Sequence, residues 1–114
     1  MRLTALAFTI LVSFASSVVA AQPAYVGTWG NSAAQCAVPQ EQQGAPMVFS
    51  KGGYDQHEAH CTFEKMAGES ADWKVSAVCV VEGDKQPIDF SLAVKGDTLT
   101  MSDEFGKQVL TRCK

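Results

Sequence analysis

Large apolar and polar side chains alternate through much of the second half of this chain. In Ile88-Asp89-Phe90-Ser91-Leu92-Ala93-Val94 every second residue is apolar. A period of two puts Ile88, Phe90, Leu92 and Val94 on one buried face of a strand. The strongest strand signal is Trp73–Val81, which is rich in β-branched residues. Glu82-Gly83-Asp84-Lys85 turns it back, and Lys95-Gly96-Asp97 reads as a tight hairpin turn. Thr98–Ser102 and Gln108–Cys113 follow as strands around an Asp103-Glu104-Phe105-Gly106 turn. Upstream, a strand begins at Tyr54 and is clearest in Ala59–Met66, with Ala67–Asp72 as a loop behind it. Met47–Ser50 is a short strand before the Lys51-Gly52-Gly53 turn.

Residues 22–30 read as a lead-in and a short first strand. Residues 31–46 are small and polar, with a helical turn near 32–36 capped by Asn31 or Ser32 and an open loop after it. No ten-residue stretch carries a helical period. The fold class this predicts is mainly β: a small antiparallel meander of about six to eight strands, closed into a barrel or sandwich. Closure buries the alternating face and removes the open sheet edges.

The start of the chain has a different pattern. Arg2 precedes an apolar run from Leu3 to Val12, and small residues follow from Ser13 to Ala21. This is the pattern of a secretory signal peptide over residues 1–20, with cleavage expected before Ala21 or Gln22. A membrane anchor fits less well, because Thr4, Thr9, Ser13, Ser16 and Ser17 interrupt the run and no basic cluster follows. Residues 21–114 then form a single β-rich domain, periplasmic or secreted. A core of that size is thin, and exported domains of this size are commonly stapled by disulfides.

Cys36, Cys61, Cys79 and Cys113 all lie after the expected cleavage point. An even count in an oxidising compartment implies two disulfides. The pairing expected is Cys36–Cys61 with Cys79–Cys113. Cys61–Cys79 is the rival, as a pair on neighbouring strands. No Cys-x-x-Cys occurs, which argues against a zinc knuckle or a thioredoxin-type site.

Composition excludes several functions. The 114 residues hold 9 Lys and Arg against 12 Asp and Glu, a formal charge of −3. With no basic run, nucleic acid is not an expected partner. His57 and His60 flank Glu58 and Ala59, but their spacing is not that of a helical zinc pair, and on a strand an offset of three separates their faces. We therefore expect a polar strand edge with no metal. No Gly-x-Ser-x-Gly elbow or Gly-rich phosphate loop is present, so neither catalysis nor a cofactor is expected. Trp29 and Trp73 are expected in the core, and Tyr25 and Tyr54 at the surface near loops.

Gly27-Thr28-Trp29 is similar to the Gly-x-Trp opening strand of lipocalin-like barrels. The mature chain also resembles small exported Gram-negative proteins. The resemblance rests on that start, on Cys36, on Tyr54 followed by Cys61, and on Leu110-Thr111-Arg112-Cys113. In size and compartment it further resembles the periplasmic inhibitors of c-type lysozyme, small β-barrels that insert a loop into the lysozyme cleft. Ser50-Lys51-Gly52-Gly53-Tyr54 and Lys95-Gly96-Asp97 echo loops of that family. These resemblances imply a protein-binding module, with a basic c-type lysozyme as the concrete partner, and, as the alternative, a small-ligand carrier with an apolar interior. The binding loops expected are Ser50–Glu58, with Ser50, Lys51, Tyr54, Asp55, His57 and Glu58, and Asp103–Gly106, with Asp103, Glu104 and Phe105.

Overall fold

A computed structural model describes residues 9–14 and 22–114. The expected export segment and its cleavage points lie almost wholly outside the described residues, and residues 9–14 carry no regular secondary structure. From residue 22 onward the chain builds eight strands: β1 (Gly27–Gly30), β2 (Met47–Ser50), β3 (Gly53–Gln56), β4 (Ala59–Glu69), β5 (Asp72–Val81), β6 (Asp84–Lys95), β7 (Thr98–Asp103) and β8 (Gly106–Arg112). Each pairs antiparallel with the next, and β8 returns to pair with β1, so the sheet closes into a barrel in chain order. One short helix, α1 (Ala33–Cys36), lies between β1 and β2. Ser32 caps it, its hydroxyl oxygen accepting the Gln35 amide.

Side-chain alternation decides which face of each strand is buried. Trp73, Val75, Ala77 and Cys79 of β5 point inward, as do Phe90, Leu92 and Val94 of β6. Tyr25, Phe49, Tyr54, Phe63, Trp73 and Phe90 interlock inside the barrel. Neighbouring ring centroids are 5.0 Å apart for Tyr25–Trp73 and Phe49–Tyr54, and 5.9 Å for Phe63–Phe90. Offset and edge-on ring pairs add about 0.5–1.5 kcal/mol each beyond their buried area. Trp29 and Trp73 are core residues, as the sequence suggested. Tyr25 and Tyr54 are not surface residues, being only 1% and 9% exposed. Tyr25 lies in the lead-in to β1, and the chain tucks it under the barrel, where its hydroxyl donates to the Lys51 carbonyl at 2.6 Å.

The disulfides are Cys36–Cys113 and Cys61–Cys79, so the expected pairing of Cys36 with Cys61 and Cys79 with Cys113 is overturned. The register of β4 and β5 sets Cys61 directly opposite Cys79, with Cα atoms 4.0 Å apart and both side chains buried. The other bridge follows from closure. The Cys113 amide donates to the Thr28 carbonyl at 2.8 Å, bringing the end of β8 beside β1, and α1 carries Cys36 back to it. Two disulfides place the protein in an oxidising, non-cytoplasmic compartment.

Two strands differ from the sequence reading. The strand expected from Tyr54 through Met66 is a hairpin, broken by a turn at His57–Glu58. The loop expected at Ala67–Asp72 is nearly all strand, with only Ser70 and Ala71 in the turn. Ala67 and Gly68 have low strand propensity, but they pair with Lys74 and Trp73 of the strongest strand. Gly53 shows how closely β3 and β4 approach: a Cβ there would lie 2.1 Å from the Cys61 carbonyl oxygen.

Candidate functional site

The meander places the β3–β4, β5–β6 and β7–β8 turns at one end of the barrel. The β2–β3, β4–β5 and β6–β7 turns lie at the other. This divides the first expected loop. Ser50–Glu58 is the end of β2, a turn, β3 and a second turn, so Ser50 and Lys51 sit at the opposite end of the barrel from His57 and Glu58.

Each member of that stretch has a definite role. Ser50 Oγ donates to the Gly53 carbonyl at 3.2 Å and stitches its turn, while the carbonyl of exposed Lys51 receives the Tyr25 hydroxyl. Tyr54 faces the interior, so it is part of the core and presents no surface anchor. Asp55 and His60 face one another across β3 and β4 and are in hydrogen-bond contact at the surface through His60 Nδ1 and Asp55 Oδ1. His57 sits half-buried in the turn, with Nδ1 3.2 Å from the Gln40 carbonyl and Nε2 3.7 Å from Glu58 Oε1. The two histidines are thus engaged with different partners. Among the described residues no three His, Cys, Asp or Glu groups converge as metal ligands do.

The Asp103–Gly106 turn does stand at the surface. Asp103 Oδ1 accepts the amides of Phe105 and Gly106 at 2.8 and 3.1 Å, which fixes the hairpin tip. Phe105 projects from it, 89% exposed, next to exposed Glu104. Around the same end lie Glu58, Glu82, Asp84 and Asp89, all exposed, against Lys85 and Lys107. The opposite end carries Lys51, Lys95 and Lys114 together with exposed Asp72, and there Asp97 pairs with Arg112 and Lys114. The barrel is therefore charge-polarised, acidic at the Phe105 end.

That acidic end is half covered. The 31–46 segment is sewn over the β2–β3 side by glutamines. Gln35 and Gln56 both donate to the Ala45 carbonyl, and Gln40 donates to the Pro46 carbonyl at 2.8 Å. On the β6–β8 side a cleft of about 420 Å³ opens beneath Phe105, with Met47, Tyr54, Phe90 and Met101 in its walls. A further cleft of about 450 Å³ lies between Gln86–Asp89 and Asp103–Phe105. The apolar interior below is filled by the aromatic cluster. Burial pushes the Tyr25 and Tyr54 hydroxyls above the ordinary tyrosine range.

The sequence reading passed over Arg112 as a structural centre. Its guanidinium carbon sits 4.2 Å from the centre of the Trp29 ring. Nη1 and Nη2 donate to the Val26 and Ala24 carbonyls at 3.1 and 2.9 Å. Gly27 makes room for it: its φ is +142°, and a Cβ there would be 2.7 Å from Arg112 Nη1. Gly27 and Trp29 of the opening strand thus form one unit with Arg112 of the last, and the signal available in the sequence was the Arg112-Cys113 pair in the last strand segment.

Comparison with protein-family models, with curated proteins and with solved structures found no match to this chain.

Proposed function

We propose that this is a periplasmic protein-binding module whose partner is a basic protein, most concretely a c-type lysozyme. The observation that carries the reading is Phe105, an almost fully exposed aromatic ring set among acidic side chains at one end of a barrel with a packed interior. An exposed ring among side chains in which acids outnumber lysines fits an interface anchor with electrostatic steering around it. C-type lysozymes are strongly basic, which matches that end of the barrel and not the lysine-bearing one. Binding is assigned to Asp103, Glu104, Phe105, His57 and Glu58, with Asp55 beside them. Ser50 and Lys51 face away from this surface, and Tyr54 supports it from beneath. A turbidity assay on lysozyme-treated cell walls tests the reading. Excess folded protein should slow clearing by at least one c-type lysozyme, and no inhibition across several of them rejects that partner.

A second reading, a small-ligand carrier, draws support from the cleft with Met47, Tyr54, Phe90 and Met101 in its walls. A fluorescent fatty acid titrated into the protein distinguishes the two. Saturable one-to-one binding quenched by Met101→Trp favours a carrier.

A further inference from the structure

β6 is longer than its partner β7, and the difference leaves a free strand edge. The β6–β7 register begins at Ser91 opposite Ser102, while β5 pairs with β6 all the way back to Asp84. Among the described residues, nothing pairs with the outer side of Asp84–Phe90. The direction of its backbone groups follows from the turn. Val81 and Asp84 flank a two-residue connection and face one another as a hydrogen-bonded pair. Backbone groups alternate along an antiparallel strand, so Lys85, Pro87 and Asp89 point theirs outward. Proline occupies one of those outward positions, where no ladder bond to β5 is lost. The edge thus presents two N–H donors, from Lys85 and Asp89, and three carbonyls, and it faces the cleft shared with Asp103, Glu104 and Phe105.

We propose that this edge, resting on the binding-module reading above, receives an extended segment of the basic partner as an added antiparallel strand. Main-chain pairing along an exposed edge supplies affinity, and alternate side chains supply selectivity. Here one set of alternate side chains would meet Ile88, Phe105 and Met101 at the cleft, and the other set would lie beside Asp89 and Glu104. Cationic residues at those outer positions complement the acidic rim. A second copy of this chain is a poorer occupant. Self-pairing centred on the edge sets Pro87 against Pro87, which removes both hydrogen bonds of the central pair, and it brings two acidic rims together.

The test uses the peptide acetyl-Lys-Val-Lys-Val-Lys-Val-Lys-amide with the folded protein and two substitutions at one position. Lys85→Ala removes a like charge and keeps the amide, so it should bind the peptide as tightly as the parent or more tightly. Lys85→Pro removes the same charge together with the outward N–H, and it leaves the β5 ladder intact. It should bind about five-fold more weakly than Lys85→Ala, the equivalent of one backbone hydrogen bond. Peptide addition should protect the outward amides of Lys85 and Asp89 and shift the resonances of their neighbours on β6, and backbone N-methylation at alternate peptide residues should abolish that, with the protein unaltered. Equal binding by Lys85→Pro and Lys85→Ala overturns the proposal, as does amide perturbation confined to other strands or concentration-dependent dimerisation through this edge. Peptide pairing without lysozyme inhibition upholds the edge and rejects lysozyme. Inhibition that is indifferent to Lys85→Pro does the reverse.

Discussion

Replacing Arg112 by Lys keeps the charge and removes the fork, and the cost follows from the contacts. Arg112 Nη1 and Nη2 donate to two separate carbonyls of the lead-in to β1, at 3.1 and 2.9 Å, while its guanidinium plane covers Trp29. A hydrogen bond from a charged donor contributes about 1.5–3 kcal/mol, and a cation over an indole about 0.5–2 kcal/mol. A lysine ammonium can reach one carbonyl but cannot span both while lying flat on the ring. The expected loss is one charged hydrogen bond and part of the stacking, about 2–3 kcal/mol. For a domain of about 90 residues, each kcal/mol lowers the melting temperature by about 4–8 °C, so a drop of about 10–20 °C is expected. Circular dichroism melting of the oxidised protein measures it. Asp97→Asn is the control: its pair with Arg112 is 3.6 Å long and the Asp97 side chain is 58% exposed, so less than about 1 kcal/mol should be lost. Gly27→Ala crowds the same guanidinium, and combined with Arg112→Lys it should cost less than the sum of the two. A fall of under about 3 °C for Arg112→Lys would refute the view that this unit locks the first strand to the last.

Other outcomes separate surface from core. Phe105→Ala should change stability by less than about 0.5 kcal/mol and weaken partner binding by about 2 kcal/mol or more, whereas Tyr54→Ala should cost about 3–5 kcal/mol of stability; chemical denaturation and a binding titration read the two. Removing Cys36–Cys113, which spans 77 residues, should destabilise by about 4.5 kcal/mol on chain entropy, and Cys61–Cys79, which spans 18, by about 3.2 kcal/mol plus the cost of an emptied core position. Peptide mapping should recover those two bridges and neither alternative pairing. The raised tyrosines set an alkaline limit. Neutral Tyr25 and Tyr54 contribute stability in full below the unfolded value near 10, and it is lost as pH rises through their folded values. Denaturant midpoints should therefore fall above about pH 10, and Tyr25→Phe should reduce that fall.

The sequence alone determined the class of this fold, because period-two burial is a local property. Ile88 to Val94 and Trp73 to Val81 can bury one face only as strands, and short polar turns between them leave little but an antiparallel meander. It also determined that the four cysteines would pair, and it set Phe105 directly after two acids in a turn. Tertiary structure decided the rest. Cys61 meets Cys79 because of the β4–β5 register, and Cys36 meets Cys113 because β8 closes onto β1; neither fact is carried by spacing along the chain. Tyr54 begins a strand in either reading, but only the barrel's curvature sets which face looks inward, and that moved it from surface to core. Ala67 and Gly68 became strand through their partner and not through their own propensity. The charge separation between the two ends, and the free edge at Asp84–Phe90, exist only once eight strands of unequal length are placed side by side.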